Sequence, residues 1–263
     1  MRTIHKKHGF TLIELSVVIL ILSIMLGGVM AIVTQNIRIQ KNAEMAEKME
    51  TIREALLAYA KAYRRLPCPS DITQTIDSAN FGVEGAPSGY TCNGGTPAAN
   101  YVTGTNTVYG GGLPVKELGL PLEYAFDAWN NRFLYAVDAT MVYSVSPLPF
   151  IANAPASGPG DIVILDREIN TITNDAIYVV VSHGPNGHGA WINSGASRKN
   201  NNSANVAEQT NCHCNSSAVA TAFTSSFYFM PPYASTTALN QYDDLTIYAK
   251  RSDMLLTEEM NAE

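Results

Sequence analysis

The segment from Gly9 to Val33 constrains the fold of this 263-residue chain more than any other part of the sequence. It follows a short basic leader and is apolar almost throughout, with a single acid, Glu14. The 19 residues of Leu15–Val33 would form a helix about 28 Å long, close to the ~30 Å thickness of a bilayer core. The sequence therefore predicts a membrane-spanning helix over about residues 10–33.

A carboxylate inside such a span needs a compensating partner. An acid at the centre of a membrane helix costs about 2.5–3.5 kcal/mol on insertion scales, so an ionisable group there indicates a function. If the chain is cleaved after Gly9, the new α-amine of Phe10 lies one helical turn from Glu14. The same two groups on neighbouring copies would then be able to pair across subunits.

The string that surrounds this junction is GFTLIEL, from Gly9 to Leu15. It resembles the type III signal of type IV pilins and of the pseudopilins of type II secretion. In that family a prepilin peptidase cuts after the glycine and N-methylates the new terminal phenylalanine, and a glutamate at mature position five directs assembly. The resemblance implies cleavage at Gly9, methylation of Phe10 and an assembly role for Glu14. It also implies three partners: the peptidase, other pilin-like subunits and an inner-membrane assembly platform.

Two other interpretations of the segment stay open. The basic leader and the small residues near Ala31 also occur in ordinary secretory signals, although an apolar region there is about 7–15 residues long and carries no acid. A plain single-span anchor fits the length equally well. Under either membrane interpretation the cations Arg2, Lys6 and Lys7 should stay in the cytoplasm. The head is then expected in the periplasm of a single-pass inner-membrane protein, assembled into a periplasmic or surface filament.

Beyond the span, the periodicity predicts that the helix continues. Apolar residues recur at alternating steps of four and three, at Met45, Met49, Ile52, Leu56, Tyr59 and Tyr63. Pro67 and Pro69 end the pattern. We therefore expect a leader at 1–9, an N-terminal helix at 10–65 and a head at 66–263. The stripe is expected to pack on a sheet of the same chain, with a coiled-coil seam as the alternative.

The rest of the chain predicts strands joined by long polar loops. Residues with high β-propensity cluster at 132–137, 141–145, 161–165, 176–182, 226–230 and 245–249. The long loops are expected at about 67–112 and 184–225. The predicted class is α+β, pilin-like, with the long helix packed on an antiparallel sheet.

The head also resembles, more weakly, that of major pseudopilins. Three short elements carry this similarity: Asp127, Trp129 and Asn131; Ser182, Gly184 and Gly187; and Asp243 with Asp244. In that family the region can hold a calcium ion, for which several oxygen ligands are needed. The second element carries no acid here, so no cofactor is predicted, and calcium is kept as an alternative to two acids on an exposed strand edge.

Four cysteines, Cys68, Cys92, Cys212 and Cys214, fall in predicted loops on the periplasmic side, where disulfides persist. Cys68 with Cys92 would close the first long loop, whereas Cys212 with Cys214 would close a very small ring. A cross-pairing between the two loops stays open. The spacing lacks the C-x₂₋₄-C pattern of structural zinc sites, so no metal is predicted there.

The net charge and the sequence motifs limit the classes of function that this chain is expected to have. The chain has a net charge of −6, and loss of the basic leader makes it more acidic, which argues against nucleic-acid binding by the chain as a whole. No nucleophile elbow, phosphate loop or zincin motif occurs, so no enzyme is expected. The favoured function is a pseudopilin subunit of a type II secretion-like filament. The alternative is a minor type IV pilin with a binding role in adhesion, DNA uptake or surface recognition.

Overall fold

A computed structural model describes residues 11–88, 91–93, 100–103, 106–142, 160–221, 224–233 and 240–254. Gly9 and Phe10 lie outside the described residues, as do the side chains at 25–32 and 34. The chain divides into two compact units, residues 1–44 and 45–263.

Helix α1, Leu12–Tyr63, contributes to both units and has 52 residues. In the first unit, its described side chains from 11 to 24 are all exposed and most are apolar. Within the described part of the chain, no helix combines the length and the apolarity that a membrane crossing requires. Much of the predicted span at about 10–33, namely residue 10 and the side chains at 25–32, lies outside the described residues.

In the second unit, α1 packs one face on the sheet. The predicted stripe at Met45, Met49, Ile52 and Leu56 is buried and belongs to the main hydrophobic core. Tyr63, by contrast, is exposed, because the helix ends there. The next residues turn away: Arg64 adopts a left-handed conformation and its N–H donates to the Ala60 carbonyl at 2.8 Å. The apolar stripe of α1 therefore packs on the sheet of the same chain, as predicted, and not in a coiled-coil seam.

The described residues form one two-stranded and one seven-stranded sheet. The small sheet pairs β1, Ala86–Ser88, with β2, Thr91–Asn93. The large sheet contains β3, Asn100–Thr103; β4, Asn106–Gly112; β5, Leu134–Asp138; β6, Ile162–Leu165; β7, Thr171–Ser182; β8, Ser226–Tyr228; and β9, Leu245–Lys250. The short helix α2, Val206–Cys212, lies between β7 and β8 in sequence.

Strand β7 is the centre of the large sheet and pairs with β5, β6 and β9. Its side chains alternate between two cores: Tyr178 and Val180 face the core that contains α1, while Val179 and Val181 face a second core. The strand is therefore buried on both faces, which explains its nearly continuous apolar sequence.

The prediction of a purely antiparallel sheet is wrong, because β6 and β8 pair in parallel. Parallel neighbours require a long crossover connection, and here it contains β7 and the segment with α2. The predicted strand at 141–145 is also wrong in its described part, which is a 3₁₀ helix at Ala139–Val142. Residues 143–145 lie outside the described residues.

Strand β4 lies within the segment predicted as a loop at about 67–112. The strand needs a residue without a side chain because Ser70 lies against it: a Cβ at Gly111 would meet the Ser70 carbonyl oxygen at 2.5 Å. Ser70 and Gly112 also exchange backbone hydrogen bonds at 2.9 and 2.8 Å.

Candidate functional site

The first candidate site is the N-terminal signal, of which Glu14 is the described member. Glu14 lies in the first turn of α1, where the backbone N–H and the hydroxyl of Thr11 donate to its Oε2 at 2.8 and 2.9 Å. It is the single acid on an exposed apolar surface that surrounds the helix. The large apolar side chains exposed there are Leu12, Ile13, Leu15, Val17, Val18, Ile19, Leu20, Ile21, Leu22 and Ile24.

The second candidate site is a carboxylate cluster in the head formed by Glu208, Asp243 and Asp244. Glu208 comes from α2, and the two aspartates directly precede β9. Each residue offers an oxygen within 4.8 Å of the others. Glu208 and Asp244 are fully buried and Asp243 is half-buried, so the alternative of two acids on an exposed strand edge is wrong.

Each of these carboxylates has one oxygen with a hydrogen bond and one without. Asn186 donates from Nδ2 to Glu208 Oε1 at 2.8 Å and from its backbone N–H to Asp243 Oδ2 at 3.1 Å. Asn211 Nδ2 donates to Asp244 Oδ2 at 2.9 Å. The second oxygens, Glu208 Oε2, Asp243 Oδ1 and Asp244 Oδ1, are buried without a hydrogen-bond partner among the described residues.

The electrostatics of the cluster are unbalanced. Burial and the neighbouring Glu208 carboxylate together raise the pKa of Asp243 to about 7. Burial likewise raises the pKa of Asp244 well above its ordinary value. His183 Nδ1 lies 3.9 Å from Asp244 Oδ1, but burial lowers the pKa of His183 to about 3, so this histidine is neutral at physiological pH. The desolvated carboxylates therefore need a positive species, either protons or a metal cation.

Comparison with known proteins decides what the first site is. Residues 4–30 match the family model of the prokaryotic N-terminal methylation motif. The chain carries the signal of type IV pilins and pseudopilins. That signal implies processing by a prepilin peptidase and assembly with other pilin-like subunits. Searches of curated proteins and of solved structures found no match to the chain, so the similarity of the head to major pseudopilins stays a prediction.

The calcium ion associated with major pseudopilins can be tested against the cluster in this pilin-like chain. Ca²⁺ prefers oxygen ligands, carboxylates above all. Glu208 Oε2, Asp243 Oδ1 and Asp244 Oδ1 are such oxygens, and their buried lone pairs have no other described partner. The residues present therefore fit a hard divalent cation, which would neutralise their charge and satisfy these atoms.

Beside this cluster, the residues around Asp127 contact the turn that begins at Ser182, so that the first two segments similar to major pseudopilins lie together. Ser182 Oγ donates to Asp127 Oδ2 at 2.7 Å, and Asn131 Nδ2 donates both to Asp127 Oδ2 at 3.0 Å and to the Gly184 carbonyl at 2.9 Å. Trp129 contributes only its backbone N–H, which donates to Asp127 Oδ1 at 2.9 Å. Because Asp127 is buried, these bonds stabilise its carboxylate and fix the turn at 183–187.

Both disulfides pair cysteines that are near in sequence: Cys68 with Cys92 and Cys212 with Cys214. The small ring forms at the end of α2, where His213 adopts a left-handed conformation and turns the chain back. His188 Nε2 lies 3.7 Å from Cys214 Sγ. Because Cys212 and Cys214 are bonded to each other, neither offers a thiolate to a metal ion.

Glu208 is the member of the cluster that sequence reasoning missed. It lies in an Asn/Ser-rich segment predicted as a loop, and α2 is too short to show a clear apolar period. One local signal was present: Asn205 three residues before Glu208 matches an N-cap followed by an acid. In the structure, Asn205 does cap α2 by accepting from the N–H groups of Ala207 and Glu208.

Proposed function

We propose that the protein is a filament subunit, best described as a pseudopilin of a type II secretion-like machine. The observation that carries this proposal is the methylation motif at residues 4–30, with Glu14 at mature position five. A prepilin peptidase would cleave after Gly9 and methylate Phe10. The subunit would then enter a filament from the inner membrane, and we expect it to have no enzymatic activity.

Anchoring in the membrane is supported by the first unit. Apolar side chains are exposed on all sides of α1 from Leu12 to Ile24. A helix that is apolar all round is typical of a core or a membrane span. The sequence continues this apolar character to Val33, which supports a span of about residues 10–33 with the leader in the cytoplasm and the head in the periplasm.

Assembly would use the two groups created at the junction. Cleavage frees the Phe10 amine, and the Glu14 carboxylate of a neighbouring subunit would pair with it inside the bilayer. Each charge is costly in hydrocarbon when alone and acceptable when paired. This complementarity would select correctly positioned neighbours, since a subunit at another axial level would leave both charges unpaired.

A minor type IV pilin with a binding role is the second candidate, and the segment at about 184–225 favours it. A major subunit repeats the same heterologous contact along a filament. A long insertion on the packing surface would disturb that contact at every subunit, whereas a minor subunit can carry one for recognition. The ratio of this chain to the other subunits in purified filaments separates the two roles.

The proposed function is tested by processing. The chain should be expressed with and without a prepilin peptidase and its intact mass measured after membrane extraction. We expect a product that starts at Phe10 and carries one added methyl group, and we expect a Gly9→Val variant to stay uncleaved. A product that starts at Ile32, after Val29-Met30-Ala31, would establish an ordinary secretory signal instead.

A further inference from the structure

The side-chain amide of Asn131 lies at the centre of a closed polar network. Asn131 is fully buried, and its Nδ2 donates to Asp127 Oδ2 at 3.0 Å and to the Gly184 carbonyl at 2.9 Å. Its Oδ1 accepts from Lys199 Nζ at 2.5 Å. The amide therefore has an amine next to its carbonyl oxygen and a carboxyl next to its nitrogen. These are the groups that transfer of an acyl group from asparagine to lysine requires.

The amine, the amide and the carboxyl are held in place by backbone hydrogen bonds. Asp127 and Asn131 belong to one turn, in which the Asp127 N–H donates to the Asn131 carbonyl at 2.8 Å. The Lys199 N–H donates to the Ala190 carbonyl at 2.8 Å, and the Lys199 carbonyl accepts from the Gly189 N–H at 2.9 Å. Such a fixed arrangement favours a reaction between neighbouring groups, because their translational and rotational freedom has already been lost on folding.

Gly187 closes the space around the amine and the amide. A Cβ at this position would lie 2.8 Å from Asn131 Oδ1, 3.1 Å from Asn131 Cγ and 2.9 Å from Lys199 Cδ. The φ of Gly187 is +63°, which also favours glycine. Because Gly187 has no side chain, the lysine stem and the amide carbon can both lie against it and against each other.

The carboxyl of Asp127 is suited to proton transfer. Asp127 is only 3% exposed. Burial raises its pKa, although hydrogen bonds from Asn131, Ser182 and Trp129 lower it. The protonated form is therefore more populated than in an exposed aspartate. Asp127 Oδ2 contacts Asn131 Nδ2, the nitrogen that an acyl transfer would release, so Asp127 is placed as a general acid.

We propose that Lys199 and Asn131 form an isopeptide bond, with Asp127 as the catalytic residue. The uncharged amine of Lys199 attacks Cγ of Asn131, a bond forms between Nζ and Cγ, and the bond between Cγ and Nδ2 breaks. The leaving nitrogen takes a proton from Asp127 and departs as ammonia. Asp127 recovers a proton from Nζ, which is bonded to the same carbon in the tetrahedral intermediate. The chain loses one ammonia molecule, and no oxidant, reductant or cofactor is consumed.

The bond connects two parts of the chain that are 68 residues apart. Lys199 belongs to the inserted segment at about 184–225, and Asn131 lies shortly before β5 in the head. The link holds the insertion on the head when hydrogen bonds open, and it limits the extension of the unfolded chain as a disulfide does. Unlike the Cys212–Cys214 bridge, it persists under reducing conditions.

The experiment is mass spectrometry of the full-length chain in detergent, before and after incubation of the folded protein. We expect the wild type to become lighter by one ammonia molecule. Digestion with trypsin and chymotrypsin should give a branched peptide that joins Lys199 to Asn131, which distinguishes the product from a succinimide at another asparagine. Because the chain is used uncleaved and unassembled, this result is independent of whether it functions as a filament subunit.

The variants separate the nucleophile from the acid. Lys199→Arg keeps the positive charge but removes the nucleophilic amine, so this chain should keep its full mass. The matched control is Lys116→Arg, at an exposed lysine whose Nζ donates to the Ala79 carbonyl at 2.7 Å, and it should become linked as wild type does. Asp127→Asn should slow formation of the bond at least about tenfold, because the general acid is lost.

Two results would overturn the proposal. One is a wild-type chain that keeps its full mass after incubation and is cleaved by trypsin after Lys199. The other is a loss of ammonia that Lys199→Arg retains, which would place the reaction at other residues. A folded Asp127→Asn chain that is linked at the wild-type rate would contradict the catalytic role of Asp127. If a variant does not fold, the mass and the branched peptide of the wild type decide.

Discussion

At the scale of single residues, the head contains buried carboxylates whose ionised form is disfavoured. Asp138 is fully buried, and its Oδ2 accepts from the backbone N–H of Asp161 at 2.6 Å. Burial, with the nearby Asp138 carboxylate, raises the pKa of Asp161 from 3.8 to about 6. Between these two pH values the native state binds more protons than the unfolded state, so the free energy of unfolding falls as pH rises from about 4 to about 6.

A neutral residue at position 161 should prevent the loss of stability that follows ionisation of Asp161. We expect Asp161→Asn to raise the melting temperature at pH 7.5, where the wild-type aspartate is ionised, and to change it little at pH 4. The backbone hydrogen bond to Asp138 is retained in the variant. Thermal unfolding at the two pH values measures the difference, and an equal shift at both would show that charge on Asp161 is irrelevant to stability.

Some site residues were readable from sequence and others were not. Gly9, Phe10 and Glu14 lie close together in sequence, so the sequence alone is enough to identify the signal that they form. The carboxylate cluster joins Glu208 to Asp243 through the fold, and their distance in sequence hides the contact. Only the folded chain shows that α2 covers the aspartates.

At the scale of elements, one ion pair joins the end of α1 to the following loop. Glu84 accepts from Arg65 Nη1 and Nη2 at 2.9 and 2.7 Å and from the backbone N–H of Cys68 at 2.9 Å. The side chains of Arg65 and Glu84 are only 14% and 13% exposed. This carboxylate therefore orders the chain just beyond the helix, next to the Cys68–Cys92 disulfide.

We expect Glu84→Gln to lower the free energy of unfolding by about 3 kcal/mol, because it leaves the largely buried Arg65 without its counter-charge. The matched control is Glu50→Gln, whose pair with Arg53 lies on α1 with both side chains more than half exposed. Such a surface pair contributes about 1 kcal/mol at most. Urea unfolding of the two variants makes the comparison, and equal losses would contradict the assigned role of Glu84.

The helices and strands also show which sequence patterns are sufficient to predict secondary structure. The stripe from Met45 to Leu56 and the β-branched run of β7 are long and periodic, and both were predicted correctly. Strand β4 was missed because three of its seven residues are glycines, which have low β-propensity. The parallel pairing of β6 with β8 depends on a crossover through distant residues, which no local pattern specifies.

At the scale of the whole molecule, assembly is proposed to depend on the N-terminal signal, and folding of the head on its sheet. The two are separable because Glu14 belongs to the first compact unit and the sheet to the second. Glu14→Ala should accordingly leave the fold of the head, cleavage after Gly9 and membrane insertion unchanged. It should remove the carboxylate that pairs with the Phe10 amine of a neighbouring subunit, which leaves that amine without a counter-charge in the bilayer.

The most direct measurement is incorporation of this variant into filaments. Wild type and Glu14→Ala are expressed at equal levels with the remaining assembly components, and crosslinked neighbours and sheared filaments are quantified. Because an amine without its counter-charge is costly in hydrocarbon, we predict that Glu14→Ala is cleaved and folded but nearly absent from filaments. Incorporation equal to wild type would contradict the assembly role of Glu14 and favour a membrane-anchored binding protein.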